Sequence, residues 1–203
     1  MGGVGHRSAA AVAAVVLSSG LVGCTTSQAA APPALYSPVS GHVGEGLAGF
    51  HPGDKLSVGD IPVCLDSPGS VTITNVEPVG EQNGMTVVAF AVRTIPAGVS
   101  PKGEALGDLT AMGVTAAEQQ QRVVSNVCGA QSRSNVGLTG PPPAGTTEQW
   151  VEVDVTVTAP TLPASAQAFR IQYRDALGHE RSTVSNVSLA MCGGKVGDAC
   201  QPP

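Results

Sequence analysis

Residues 149–158 read QWVEVDVTVT. Val151, Val153, Val155 and Val157 alternate with Glu152, Asp154, Thr156 and Thr158, the period of two that places successive side chains on opposite sides of an extended strand. The expectation is a strand with valines buried and the polar side wet. Working outward, residues 70–79 (SVTITNVEPV) are rich in β-branched residues, with Pro78 marking an edge or bulge. Residues 85–94 (MTVVAFAVRT) place Val88, Phe90 and Val92 on one face, and the turn at 80–84 between these runs makes them read as a hairpin. A second hairpin follows: Phe169, Ile171 and Tyr173 alternate with Arg170, Gln172 and Arg174, and after Gly178 a last strand runs from about Arg181 to Met191.

Short strands, one-sided alternation and Pro/Gly-rich joins point to an all-β, Ig-like antiparallel β-sandwich over residues 61–203. Residues 95–148 interrupt it as an irregular segment. Ser100-Pro101 can start a helical turn carrying Leu106 and Leu109, and Thr115 with Glu118 matches a capping box. The run 122–128 alternates well enough to be a strand, and both readings stay open. Three prolines at Pro141–Pro143 make 140–145 a stiff loop. Residues 24–60, rich in Ala, Pro, Ser and Gly, read as a flexible spacer.

The start of the chain has a different logic. Arg7 precedes an apolar run from Ala9 to Leu17, which is followed by small residues and then Cys24, the order of a secretory signal peptide over residues 1–23. The run is shorter than the roughly 20 residues a membrane-spanning helix needs. Leu21-Val22-Gly23-Cys24 resembles the lipobox of bacterial cell-envelope lipoproteins. That resemblance implies cleavage between Gly23 and Cys24, diacylglycerol on the Cys24 thiol, and a mature protein held by lipid on the outer face of the cell membrane. Arg exceeds Lys, and Ala, Gly and Val dominate, a composition similar to that of proteins from GC-rich genomes such as those of actinobacteria.

The formal charge is −5, and the cations are scattered, so no nucleic-acid partner is expected. With Cys24 given to lipid, Cys64, Cys128, Cys192 and Cys200 remain, in a compartment where disulfides persist. They lack the close Cys-x-x-Cys spacing of zinc sites. Four cysteines allow three pairings. If the first and last strands of the sandwich run parallel, Cys64 and Cys192 lie at opposite ends, which favours Cys64 with Cys128 and Cys192 with Cys200 across a glycine-rich loop. A last strand antiparallel to the first would instead join Cys64 to Cys192.

Chemistry is sparse. His42 and His51 fall in the spacer, His179 follows a turn glycine, and neither a Gly-x-Ser-x-Gly elbow nor a His-Glu-x-x-His helix occurs. Met85, Met112 and Met191 join the histidines as soft or borderline ligands, but no pair has the local spacing of a copper site. No cofactor, metal site or catalytic residue is therefore expected. Trp150, Glu152 and Asp154 are the one place where an aromatic and two carboxylates share a strand face. As function this is a candidate binding surface or carboxylate pair; as structure, Trp150 caps the sandwich while the acids meet Arg170 or Arg174 across strands. On the structural reading, removing either acid costs less than about 1 kcal/mol. The expected role is a non-catalytic module that binds a protein or cell-wall partner. The rivals are a small envelope hydrolase with its site in 95–148 and a copper-binding protein.

Overall fold

The computed structural model describes Gly2 and residues 31–38, 43–96, 99, 102–146, 150–196 and 198–201. The leader, Gly23, Cys24, His42 and Ser100-Pro101 lie outside the described residues, as does the side chain of Trp150. In chain order the strands are β1 (Leu35–Tyr36), β2 (Val43–Ala48), β3 (Lys55–Pro62), β4 (Cys64–Leu65), β5 (Val71–Val79), β6 (Thr86–Ile95), β7 (Glu104–Leu106), β8 (Val123–Val124), β9 (Trp150–Thr158), β10 (Ala164–Ala166), β11 (Ala168–Arg174), β12 (Glu180–Val184) and β13 (Val187–Cys192). Two four-stranded sheets, ordered β6-β9-β3-β7 and β12-β11-β5-β8, form the sandwich, and smaller sheets β10-β13-β2 and β1-β4 complete it. The all-β class and the sandwich architecture are as the alternation implies.

The valines of β9 lie inward as expected. They share one core with Leu56, Val58 and Ile61 of β3, Val71, Ile73 and Val76 of β5, and Phe169, Ile171 and Tyr173 of β11. β5 and β6, however, are not a hairpin. β5 pairs with β11 and β8, while β6 pairs with β9. The turn between them uses positive φ at Gly80, Asn83 and Gly84 to pass the chain from one sheet to the other. Two strands facing each other across a core show the same alternation as two strands side by side, so pattern alone does not separate the cases. A bulge at Val88 also shifts the register of β6, leaving Val88 half exposed while Val87, Phe90 and Val92 pack on the core.

The 24–60 spacer is corrected over its described residues. The second of two compact units begins at Ala31, and β1, β2 and most of β3 fall before residue 61. In β3, Leu56, Ser57, Val58 and Gly59 are buried in succession. Its second face carries Ser57 and Gly59 where β9 carries acids and threonines, and a bulge interrupts it at Gly59 and Asp60, so the segment resembles linker.

The second hairpin is present: β11 pairs with β12 from Arg170↔Val184 to Arg174↔Glu180. The last strand splits beyond it. Ser185 donates its N–H to Phe169 O and accepts from Phe169 N, and the chain then leaves that sheet to form β13, antiparallel to β10 and parallel to β2.

The disulfides are Cys64–Cys128 and Cys192–Cys200, with Cα separations of 4.9 and 5.8 Å. The first ties the start of the sandwich to the irregular segment. In that segment β7 pairs with β3, and Leu109–Met112 make a 3₁₀ turn capped by Asp108. The capping box forms reciprocally: Thr115 N donates to Glu118 Oε2 at 2.8 Å and Glu118 N to Thr115 Oγ1 at 3.3 Å. It opens a second 3₁₀ turn, Glu118–Gln120. Gln121 O then accepts from Val92 N of β6, and Arg122 O from Ile73 N of β5, so two adjacent residues join both large sheets. The helical reading of 119–124 reduces to the turn Glu118–Gln120, and the strand reading of 122–128 holds only at β8. A six-residue helix, Ala130–Asn135, was not foreseen.

Candidate functional site

The polar side of β9 is where the sequence and the structure part most sharply. Glu152, Asp154 and Thr156 are fully buried, not wet. The sheet β6-β9-β3-β7 is covered on its outer face by the 3₁₀ turn and the chain through Val114, which follow its edge strand β7. Leu109, Met112 and Val114 pack there with Ala91 as a second, smaller apolar cluster.

Beneath this cover the acids meet Arg93 of β6, whose register places it opposite Glu152, with Ala91 opposite Asp154. Arg93 Nη2 donates to Glu152 Oε1 at 2.7 Å and to Asp154 Oδ1 at 3.2 Å, and Nε donates to Glu152 Oε1 at 3.2 Å. Nη1 donates to Met112 O at 3.4 Å, linking the guanidinium to the cover. Asp154 Oδ2 lies 3.0 Å from Arg93 Nε but receives no hydrogen bond. Thr156 completes the row through a 2.7 Å hydroxyl contact with Ser57 of β3.

On the third strand, Val58 pairs with Val155 and Ile61 with Val153, so Gly59 and Asp60 form a bulge opposite Asp154. Asp60 takes a left-handed φ of 57°, a conformation for which Asp is among the more tolerant residues. A Cβ on Gly59 would fall 2.8 Å from Asp154 Oδ1 and 3.1 Å from Met112 Cε. Only glycine lets the bulge close over the carboxylates.

Two acids thus share one guanidinium, and Asp60 lies near enough to feel the charges of both Glu152 and Arg93. Burial, and then the neighbouring Glu152, push Asp154 up to about 8, against the pull of Arg93. Burial and Glu152 also raise Asp60. The arrangement favours holding a proton on Asp154, hydrogen-bonded to Glu152. The ion pair fixes β6, β9 and the cover relative to one another. Its acids are out of contact with solvent, so the expected surface role for Glu152 and Asp154 is corrected.

Arg170 and Arg174, the expected partners, bind elsewhere: Arg170 Nη1 donates to Glu77 Oε1 at 2.8 Å and Arg174 Nε to Glu180 Oε1 at 2.9 Å. These pairs lie on the exposed face of the other large sheet. A shallow, open depression of about 310 Å³ lies there, lined by Arg170, Gln172, Glu180, Arg181 and Ser182. At its end, Asp175 is buried in the turn, accepting from the backbone of Leu177 and His179 and from Arg181 Nε at 3.1 Å. The His179 ring lies 3.3 Å from Asp175 Oδ2. His51 is exposed beside Asp54, and Met85, Met112 and Met191 are buried among apolar side chains. Among the described residues no group of three or more His, Cys, Asp or Glu is placed to hold a metal ion.

Arg93 and Gly59-Asp60 are the members that sequence reasoning missed. The available signal was one cation in the otherwise uncharged run 85–94, matched by two acids two residues apart on another valine-rich strand. Comparison with family models, with curated proteins and with solved structures gives no match.

Proposed function

We propose that the protein is a lipid-anchored lipoprotein on the outer face of a bacterial cell membrane, whose sandwich is a non-catalytic module that binds a protein or cell-wall partner. The observation that carries this reading is the pair of disulfides, Cys64–Cys128 and Cys192–Cys200, since such bonds persist in oxidising compartments. The leader and the Leu21–Cys24 resemblance agree with it. The wet face of β12-β11-β5 offers mixed charges on a rigid sheet, a surface suited to a polar partner. The hydrolase and copper readings have less support, because the best carboxylate pair is sealed beneath the cover and the methionines serve the core.

Detergent-phase partitioning of the full chain tests the anchor. The wild type should enter the detergent phase, since acyl chains add about 0.8 kcal/mol per buried methylene. Cys24→Ser should stay aqueous or unprocessed. A Cys24→Ser protein that still takes up labelled fatty acid would overturn the reading.

A further inference from the structure

We propose that residues 108–120 form a proton-closed lid over the outer face of β6-β9-β3-β7, with Arg93 as its latch and Asp154, buried beside Glu152, as its sensor: closed in acid, loosened toward neutral pH. Three observations carry this. The Arg93 guanidinium touches both the acids of β9 and the Met112 carbonyl of the 3₁₀ turn, so the group that answers to their charge also holds the cover. Asp154 Oδ2 receives no hydrogen bond from Arg93 although it lies 3.0 Å from Nε, which leaves it the oxygen placed to carry the proton held against Glu152. Gly59 packs against Asp154, so the site has no room to rearrange around a second negative charge.

The charged groups facing the pair are Arg93 from β6 and Asp60 from β3. From the lid, Glu118 faces Arg93 and is kept below its usual range by two hydrogen bonds from Thr115. Lys102, ahead of the lid, donates to Ala111 O, while Glu104 and Asp108 are exposed. No histidine lies on any of these elements, so the dependence rests on Asp154.

The sign follows from linkage. Below the ordinary Asp value of 3.8, Asp154 is protonated whether the lid is open or closed. Between that value and about 8 the closed state keeps a proton that the open state releases, so rising pH favours opening. Above about 8 both states are ionised and the dependence ends. A single such proton raises the opening constant by up to about tenfold per pH unit within the window.

Hydrogen exchange of the full chain, followed by mass spectrometry from pH 5 to 9 and corrected for intrinsic exchange, tests this. Protection of peptides from 108–120 should fall with pH and level off above about 8, while peptides from β5 and β11 hold their protection. Asp154→Asn should remove the slope. A pH-independent lid, a lid that loses protection only in parallel with β5 and β11, or a slope that survives Asp154→Asn would each overturn the proposal. Should the variant not fold, the carbon-13 titration of the Asp154 carboxyl in the wild type decides: a midpoint near 4 overturns it, and one well above that supports it.

Discussion

β9 and β11 carry the same alternation of apolar and charged residues, yet the fold treats their outer faces oppositely. On β11, Arg170 and Arg174 stand in water and pair with Glu77, which is partly exposed, and Glu180, which is about half exposed. On β9, Glu152 and Asp154 are shut under residues 108–120 with Arg93. Exposed pairs gain little, because water solvates each partner nearly as well as they solvate each other. A buried pair has already given up its hydration, so either partner left alone is strongly disfavoured. The contrast teaches that periodicity determines which side chains share a face, while a distant part of the chain determines whether that face meets water.

The sharpest way to break the contrast is Arg93→Ala, which leaves two buried acids without their cation. We expect a loss of about 3 to 5 kcal/mol in urea denaturation. A loss below about 1 kcal/mol would mean that the cluster behaves like the wet pairs. Gly59→Ala comes next, since its methyl group must displace Asp154 or Met112; overpacking of this kind costs about 1 to 3 kcal/mol. An unchanged midpoint would show that the bulge has slack. Smallest of all, Arg170→Ala and Glu77→Ala should each cost less than about 1 kcal/mol, with a double-mutant coupling near the lower end of that range. A larger coupling would move the wet sheet toward the buried one and narrow the comparison.

Where the sequence was legible, the reason is local. β9 and β11 alternate apolar with charged or polar residues, so their period survives in the residue string whether the polar face is covered or wet; the capping box at Thr115 and Glu118 is a four-residue device readable in place. What stays hidden depends on residues far apart. β3 carries Ser57 and Gly59 on its second face and a bulge at Gly59 and Asp60, so its short run resembles spacer. β5 and β6 resembled a hairpin because facing and adjacent strands bury the same residues. The lid is short, irregular and held by only a few apolar side chains, Leu109, Met112 and Val114, and nothing in its own pattern says that it lies over the acids. Two members of the site were singled out for the right chemistry and the wrong exposure, and the favoured arginine partners were on the other sheet.

The parallel pairing of β2 with β13 has a consequence for how the chain is made. Residues 43–48 take their hydrogen-bonded neighbour from residues 187–192, and among the described residues β2 has no other strand beside it. A chain emerging from the ribosome therefore carries β2 without its neighbour until residues 187–192 have been made, and the pairing closes a loop of well over a hundred residues, a slow event by topology. The small sheet β10-β13-β2 is thus the last of the sheets to be completed, whatever order the two large sheets follow.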